Sequence, residues 1–528
     1  MTSLKRRTIL FTSLLLVLLS WILVAGARDE IETKPVPAGS AAPSTEHAGI
    51  SSVAPTPTCS PPDKSLKFAV ALFRHGVRAP LKDLGPTHSQ KPWPSPAMAW
   101  AADDWGYLTR HGCEAVKVLG AYYGTYYSKT AWCNGFRAYL WADVDKRTLA
   151  TAEALLVGME NAGVDVNLDS LCPQKVDPCV HKYDACLGKT DPLFHPFKAM
   201  CGTPDPNELK RIATYINDHL PEWFREFSYP FGGQLGILYS VLACNNAQEC
   251  KQPLRQITDH ATAWSPPTAT QTPRPTSPIT WAGQFPASPT PTPADGQFPY
   301  ASTATEAFLL EYANGMPLEE VGWGHVIDEQ TGSTDKLCKL LTLHEFYFKQ
   351  TEREPYLAGV AGANLVREVL DQLNQAAGKP RRECMRPSGD SKFVGLVGHD
   401  TNLANVQTLL NVTWSFIKDQ QLPADLRALP DNDALPASAL VFELRQTGPA
   451  DYRVRVQYMT QSLNQMRNPR EQDKPYFVLT SCPGDDGNDV KPCEMSLGTF
   501  NKIAGQVIEK YGKFLSRCQE GLPTCSEK

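Results

Sequence analysis

The sequence places an imidazole between two guanidiniums at the end of an apolar run. Arg74, His75 and Arg78 follow Lys67–Phe73, a run typical of a buried strand. Arginine side chains match phosphate oxygens with paired hydrogen bonds. A neutral imidazole nitrogen beside them could attack phosphorus and form a phosphohistidine. The segment therefore predicts a phosphate site with His75 as its nucleophile, and the alternative is a surface turn with two solvated arginines.

A second imidazole stands beside a carboxyl group at the end of another apolar run. His399 and Asp400 follow Val394–Val397. A leaving alkoxide needs a proton, and a carboxylic acid is a suitable donor in acid. These two residues could therefore complete a phosphatase site. The alternative is that Asp400 caps a helix predicted over Thr401–Leu410.

A third candidate segment follows the apolar run Tyr139–Ala142. Arg147 lies just beyond it, at the start of a helix predicted over Thr148–Met159. Phosphate can bind both a guanidinium and the N-terminus of a helix. The alternative is an ion pair between Arg147 and Asp143 or Asp145.

The elements around these residues indicate an α/β fold. The three apolar runs are continuous, which predicts strands buried on both faces. Helical patterns cover Gly112–Tyr127 and most of 206–375, and Ala439–Leu444 with Tyr452–Tyr458 predicts a β-hairpin. We therefore expect an α/β domain with a large helical insertion. Residues at the carboxyl ends of neighbouring strands would meet in one crevice.

Composition excludes several classes of protein. The chain has 528 residues, 42% of them hydrophobic, with 51 Lys and Arg against 56 Asp and Glu. These values exclude wholesale disorder, collagen-like repeats and a multi-span membrane protein. With no basic tail or stripe, they also argue against a nucleic-acid partner.

The N-terminus predicts export. Basic residues at 5–7, an apolar stretch over Thr8–Val24 and the small residues Ala25-Gly26-Ala27 form a signal-peptide pattern over residues 1–27. The alternative is an uncleaved anchor, because the uncharged stretch is just long enough to span a bilayer. After cleavage we expect a soluble periplasmic or extracellular protein with no membrane contact.

Two low-complexity tracts divide the chain. Residues 28–64 are rich in Pro, Ala, Ser and Thr and predict a flexible linker. The tract 265–299 is rich in proline, so we expect a surface insertion without helix or strand. The predicted α/β domain then covers 65–190 and 389–528, and the helical domain covers 191–388.

The fifteen cysteines of an exported chain predict disulfides rather than metal ligands. Cys244 with Cys250, and Cys482 with Cys493, could each close a local loop. Since the count is odd, at least one thiol is free or pairs between chains.

Four motifs together resemble the histidine acid phosphatases. RHGVRAP (74–80), LT-x-x-G (108–112), DVD-x-RT (143–148) and GHDTNLAN (398–405) stand in that family's order. The sequence is most similar to the bacterial branch that includes phytases and glucose phosphatases. The resemblance runs from Lys67 to Cys518 with the proline-rich insertion between. Further matches to the branch lie at 191–194, 305–310, 322–324 and 440–443.

The resemblance implies a phosphoglycerate-mutase-like α/β domain with a smaller, mostly helical domain inserted. It implies that His75 is the nucleophile and that Asp400 protonates the leaving group and then helps activate water. The residues implied to bind the phosphoryl oxygens are Arg74, Arg78, Arg147 and His399. No cofactor or metal is needed for such catalysis. The expected partner is a small-molecule phosphomonoester substrate, and the protein is expected to be a monomer. The resemblance also implies the disulfides Cys133–Cys172, Cys201 with Cys518 or Cys525, Cys244–Cys250 and Cys482–Cys493, and it does not place Cys59, Cys113, Cys179, Cys186, Cys338 or Cys384.

The sequence determines the substrate less closely than it determines the reaction. Lys82, Thr401 and Glu306 match positions that line the substrate site of phytases in this branch, which favours phytate. Leu81 departs from the usual Thr, and His325 follows Gly322-Trp323-Gly324 where these phytases can carry Arg. His325 would attract a polyanion in acid, where imidazole is charged. The alternatives are a phosphatase of small sugar phosphates, a mutase-like transferase, and a catalytically silent binding protein.

Overall fold

The computed structural model describes eight main segments of the chain. They are residues 63–81, 100–102, 104–132, 136–143, 145–169, 294–380, 391–482 and 493–515, with single residues at 179, 211, 214, 215, 218, 219, 234, 237, 238 and 241. The predicted signal peptide, almost all of the 28–64 linker and most of the 265–299 tract lie outside them. In the segments that are described, no helix is both long and apolar enough to cross a bilayer.

Most strands of the described segments belong to one mixed sheet. In chain order the strands are β1 (Leu66–Arg74), β2 (Arg137–Ala142), β3 (Asp165–Asp169), β4 (Phe393–Gly398), β5 (Thr413–Trp414), β6 (Ala439–Gly448), β7 (Asp451–Thr460), β8 (Tyr476–Val478), β9 (Thr480–Ser481) and β10 (Cys493–Ser496). The sheet order is β10-β7-β6-β1-β4-β2-β3, and β8 pairs with β7. Strands β1, β4, β2 and β3 are mutually parallel, and the remaining pairings in this sheet are antiparallel.

Helices cover both faces of this sheet. The fully bounded ones are α1 (Arg110–Thr130), α2 (Lys146–Asn161), α3 (Ala294–Ala313), α4 (Asp335–Gln350), α5 (Pro355–Ala376), α6 (Asp400–Leu410), α7 (Ala424–Arg427), α8 (Leu463–Arg467) and α9 (Leu497–Leu515), with a 3₁₀ helix at Val321–Gly324. Val70 and Leu72 of β1 pack among residues of α3 to α6 and α9, and Ala71 and Phe73 pack with α1 and α2. Alternate side chains of β1 thus pack into two hydrophobic cores, one on each face of the sheet.

The predicted elements around the site are confirmed with small changes of boundary. The three apolar runs are β1, β4 and β2, and the residues of β4 are buried along its whole length. The predicted helices are α1, α2 and α6, each extended by a few residues, and the predicted hairpin is β6–β7. The fold is therefore α/β, as expected.

One predicted boundary differs from the structure, and one helix of the predicted helical domain packs in the core that covers β1. Helix α3 begins at Ala294, inside the tract expected to hold no helix, and Pro299 lies in it. Pro299 is the sixth residue of this helix, beyond the first turn, so it lacks the N–H that would donate to the carbonyl of residue 295. Helix α5 falls within the predicted helical domain, yet its Leu365 and Val366 belong to the core that covers β1. Helix α5 thus shares one core with α3, α4 and β1, and the bounds of the helical domain stay a prediction.

Two disulfides lie in the described segments. Cys482–Cys493 confirms one predicted pair. Cys113–Cys179 joins two cysteines that the resemblance did not place. Cys338 is buried and free, while the other predicted pairs lie outside the described residues.

Candidate active site

The sheet brings the three candidate motifs to one edge. In the β1–β4 ladder Arg74 pairs with Gly398, and in the β2–β4 ladder Ala142 pairs with Val397. The N–H of His75 donates to the Gly398 carbonyl at 2.9 Å, and the N–H of Asp143 donates to the Val397 carbonyl at 2.8 Å. Because the strands are parallel, all three motifs leave the sheet in the same direction.

The turn after His75 is held by the start of α1. The N–H of Thr109 donates to the Val77 carbonyl at 2.9 Å, and the Thr109 hydroxyl caps α1 by accepting from the N–H of Gly112 at 2.8 Å. A Cβ atom at Gly112 would lie 2.3 Å from the Val77 carbonyl oxygen. Only glycine therefore allows α1 to pack this closely against the turn.

His75 is buried, with one ring nitrogen engaged. Its Nδ1 lies 2.8 Å from the Gly76 carbonyl oxygen. Since a carbonyl oxygen can only accept, Nδ1 carries the proton and Nε2 holds the lone pair. Burial, together with the cations Arg147, Arg78 and Arg74, holds the pKa of His75 well below its usual range. His75 therefore favours its neutral form, in which Nε2 is the nucleophilic atom.

Glu306 on α3 joins two of the predicted phosphate-binding arginines. Its carboxylate pairs with Nη2 of Arg74 and accepts from Nη2 of Arg78 at 3.1 Å. Nη1 of Arg74 donates to the Ala434 carbonyl at 2.5 Å. Burial lowers the pKa of Arg74, but Asp400 and Glu306 outweigh it, and the net shift is upward. Burial and the cations Arg147 and Arg74 lower the pKa of Arg78, although a guanidinium still remains charged. Glu306 thus holds both guanidiniums in position.

His399 lies 5.5 Å from His75 between ring centroids. Its Nε2 is 3.0 Å from Asp143 Oδ2 and 3.2 Å from Asp145 Oδ2, and its Nδ1 is 3.4 Å from Nη2 of Arg147. Burial and Arg147 lower the pKa of His399, but the two carboxylates outweigh them and raise it. The predicted ion pair of Arg147 is present as well, with Asp145 Oδ2 at 2.7 Å.

The same corner has the residue types of a metal site. Asp143, Asp145 and His399 offer ligand atoms within 4.8 Å of one another. The Arg147 guanidinium already neutralises Asp145, and its charge would repel a cation. The arrangement is therefore accounted for as an ion-pair cluster that orients His399 and Arg147.

Asp400 is buried at the first turn of α6. Its Oδ2 lies 2.9 Å from Nη2 of Arg74, and its Oδ1 accepts from the N–H of Thr401 at 2.8 Å. Burial raises the pKa of Asp400, but Arg74, His344 and Arg78 outweigh it and lower the pKa to about 2. Without substrate Asp400 is therefore ionised in acid, which differs from the protonated acid that the sequence alone suggested.

The structure describes three of the four predicted substrate-lining residues. Thr401 stands beside Asp400 and is half-buried, while Lys82 lies outside the described residues. His325 is buried after the 3₁₀ helix, where Gly322 and Trp323 have φ angles of 53° and 55°. Its carbonyl accepts from the Lys336 ammonium group. The roles of these residues stay predictions.

Sequence reasoning missed part of the support around the arginines. The pairing of Glu306 with Arg74 and Arg78 comes from a helix far along the chain, and the Ala434 carbonyl carries no side-chain signal. Only the acidic spacing in Asp143-Val144-Asp145 could have indicated a partner for His399. These contacts depend on the tertiary fold.

Comparison with known proteins identifies the family. The family model of the histidine phosphatase superfamily (branch 2) matches residues 65–190 and 224–459, so the chain belongs to this superfamily. Phytase AppA of Escherichia coli is 28% identical over 468 residues, which cover 85% of this chain and 93% of the relative. A glucose-1-phosphatase of Providencia rettgeri is 25% identical over 470 residues, with the same two coverages.

Solved structures agree with this assignment. Hafnia alvei phytase in complex with tartrate has a TM-score of 0.57 and 26% identity, and the match covers 88% of this chain and all of that one. The same enzyme in complex with myo-inositol hexakis sulphate has a TM-score of 0.56 and 25% identity. The protein is a phytase-like histidine acid phosphatase and hydrolyses phosphomonoesters.

Proposed function

We propose that this protein is an exported acid phosphatase that hydrolyses phytate through a phosphohistidine at His75. The observation that carries the proposal is the state of His75, a neutral imidazole with its Nε2 lone pair available among three arginines. The Nε atoms of Arg74, Arg78 and Arg147 are buried without an acceptor among the described residues. Buried unpaired cationic donors favour an anionic ligand.

In the first chemical step, Nε2 of His75 attacks phosphorus and the bond from phosphorus to the leaving oxygen breaks. The negative charge that develops on the phosphoryl oxygens is stabilised by the arginines. The leaving oxygen takes a proton from Asp400. A bound phosphate dianion raises the pKa of this carboxyl, because it adds a nearby negative charge and competes for Arg74 and Arg78.

In the second step, water attacks phosphorus and the phosphorus–nitrogen bond breaks. Asp400, now a carboxylate, accepts a proton from the water, and the electron pair of the broken bond returns to Nε2. The proton on Nδ1 stays on that nitrogen throughout and remains hydrogen-bonded to the Gly76 carbonyl. Positioning and charge thus supply the catalysis.

Phytate is favoured as the substrate by similarity and by charge. The phytases named above cover most of this chain. The contacts of Glu306 with Arg78 and of the Thr401 N–H with Asp400 support the substrate-lining positions that the resemblance implies for both residues. Lys82 and His325 would add positive charge in acid. The glucose-1-phosphatase relative makes small sugar phosphates the alternative substrates.

Export is supported by the N-terminal sequence pattern, which predicts removal of residues 1–27. The disulfide Cys113–Cys179, in addition to Cys482–Cys493, fits an oxidising compartment. Mass spectrometry of the secreted protein would give its first residue.

The test is phosphate release in acid from phytate, from glucose 1-phosphate and from an aryl phosphate. The variant His75→Asn keeps an N–H that can donate to Gly76 but has no nucleophilic nitrogen. We expect the variant to lose turnover on every substrate. The wild type should form a base-stable, acid-labile phosphoenzyme, and the variant should not. If the wild type hydrolyses glucose 1-phosphate but not phytate, its substrates are small sugar phosphates. Full activity in His75→Asn would refute the mechanism.

A further inference from the structure

Helix α3 carries a second buried carboxyl group beyond the one that pairs with the arginines. Glu311 is 2% exposed, and it follows Glu306 by one and a half helical turns, which is about 7.5 Å along the helix axis. Its Oε2 accepts from the N–H of Gly322 at 2.7 Å. A glutamate is rarely buried so fully without a reason, and the proposed catalytic steps do not use this one.

The hydrogen bond from Gly322 belongs to a turn with an unusual backbone conformation. Gly322 and Trp323 both lie in the left-handed region, with φ angles of 53° and 55°, and this conformation is strained for a tryptophan. A Cβ atom at Gly322 would lie 2.8 Å from the side chain of Val326. A strained conformation persists only where surrounding contacts hold it, and the Glu311 carboxyl group supplies one such contact.

The turn leads directly to His325, which the resemblance places in the substrate site. The N–H of His325 donates to the Gly322 carbonyl at 3.1 Å, so its backbone is tied to the same glycine that Glu311 holds. The ring of Trp323 packs edge-to-face against Phe308 of α3, with ring centroids 6.2 Å apart. Helix α3 therefore contacts the turn through a hydrogen bond and through an aromatic pair.

The carboxyl group of Glu311 is a neutral hydrogen-bond acceptor in acid. Burial raises the pKa of Glu311 to about 8, with a smaller rise from Glu320 and against the effect of the hydrogen bond from Gly322. A protonated carboxyl group still accepts through its carbonyl oxygen. The contact with Gly322 therefore needs an acceptor oxygen and not a charge, and a glutamine side chain offers the same atom.

We propose that Glu311 is a positioning residue for phytate binding, which holds the turn at 322–324 so that His325 reaches a phosphate group other than the one under attack. This inference rests on the proposed function, in which His325 lines the substrate site. Phytate carries phosphate groups around its whole ring, so binding one of them at the arginines leaves others for a nearby cationic imidazole. An aryl phosphate has a single phosphate group and gains nothing from His325.

The experiment compares kcat and KM for phytate and for an aryl phosphate in acid. Glu311→Met keeps the length of the side chain but removes the acceptor oxygen. KM for phytate should therefore rise about three- to tenfold, the effect of one lost hydrogen bond, without a matching rise for the aryl phosphate. Glu311→Gln retains an acceptor and should keep the wild-type KM. An unchanged KM for phytate in Glu311→Met, or equal losses in the Met and Gln variants, would overturn the proposal.

Two further variants test whether Glu311 acts through the turn and His325. Gly322→Ala perturbs the same turn without changing Glu311, because the new methyl group meets Val326, and it should also raise KM for phytate. In a His325→Gln background, Glu311→Met should add no further rise, because the residue through which it acts is gone. A wild-type KM in Gly322→Ala, or additive effects in the double variant, would contradict this route.

The matched control is Glu443→Met, which removes another buried carboxyl group. Glu443 lies on β6, where its carboxylate accepts from Arg445 at 3.1 Å and from the Tyr127 hydroxyl at 3.3 Å. Denaturant unfolding should show that both Met variants are folded, and KM for phytate should rise only in Glu311→Met. A rise in both would indicate a general loss of packing and overturn the proposal. A wild type that hydrolyses glucose 1-phosphate but not phytate would instead refute the proposed substrate, and this role of Glu311 with it.

Discussion

Nη2 of Arg74 lies 2.9 Å from Oδ2 of Asp400, so the predicted proton donor is ion-paired with a predicted phosphate ligand. The pair lowers the pKa of Asp400 to about 2 in the free protein, against the effect of burial. Substrate must therefore disrupt this pair before Asp400 can act as an acid. Binding and protonation are thus coupled through one guanidinium.

The first prediction concerns the leaving group. Asp400→Asn should slow single-turnover release of an alkyl alcohol by about 10²–10⁴-fold, because an alkoxide needs a proton. Release of a phenolate should slow by less than about tenfold, since phenolate is a stable leaving group. Rapid-quench measurement of both substrates checks this, and equal losses on the two would argue against Asp400 as the acid.

The second prediction concerns the charge of His75. Its pKa lies well below the usual range because of burial and the cations Arg147, Arg78 and Arg74. Arg147→Met should therefore raise the pKa of His75, as followed by NMR titration of the ring nitrogens. Arg137→Met is the control, because Arg137 is exposed and pairs with Asp165 at 2.9 Å. An unchanged titration in both variants would contradict the assigned cause.

The third prediction concerns Glu306. Glu306→Gln leaves two buried guanidiniums without their shared carboxylate, so the free energy of unfolding should fall by about 3–5 kcal/mol. Inorganic phosphate should nevertheless inhibit more strongly, because a competing negative charge is gone. Glu345→Gln, which breaks the 2.7 Å pair with Arg353, should lower stability without tightening phosphate binding. Denaturant unfolding and inhibition constants give both quantities.

The fourth prediction concerns Gly112. In Gly112→Ala the new methyl group would meet the Val77 carbonyl at 2.3 Å, so the turn that carries His75 must move. We expect about 1–3 kcal/mol of destabilisation and a fall in kcat. At Gly505, in the middle of α9, a Cβ would meet nothing within 4 Å. Gly505→Ala should stabilise the protein by about 0.5–1 kcal/mol and leave kcat unchanged.

The sequence predicted the strands and helices that carry the site because their signals are local. Apolar runs of β1, β2 and β4 and the polar residues directly after them can be recognised without tertiary information. The pairing of Glu306 with Arg74 could not, since α3 and β1 are distant in the chain. The ionised state of Asp400 was also hidden, because it depends on which charges the fold brings near it.

The helix that the proline-rich composition did not predict has the same origin. Proline-rich composition suggested that 265–299 has no helix, yet α3 begins at Ala294 and contains Pro299 as its sixth residue. The helical pattern over most of 206–375 includes α5 but did not indicate which apolar layer this helix joins. The disulfide Cys113–Cys179 likewise depends on a spatial proximity that spacing does not show.

Strand β4 lies between β1 and β2 in the sheet, although it follows both of them by more than two hundred positions in the chain. Ala69 and Ala138 both pair with Phe393, so neither early strand can find its final neighbour until the second half of the polypeptide has emerged. A chain with this topology cannot complete the centre of its sheet before β4 is available. Its folding should therefore be slow, and truncated products should be readily degraded.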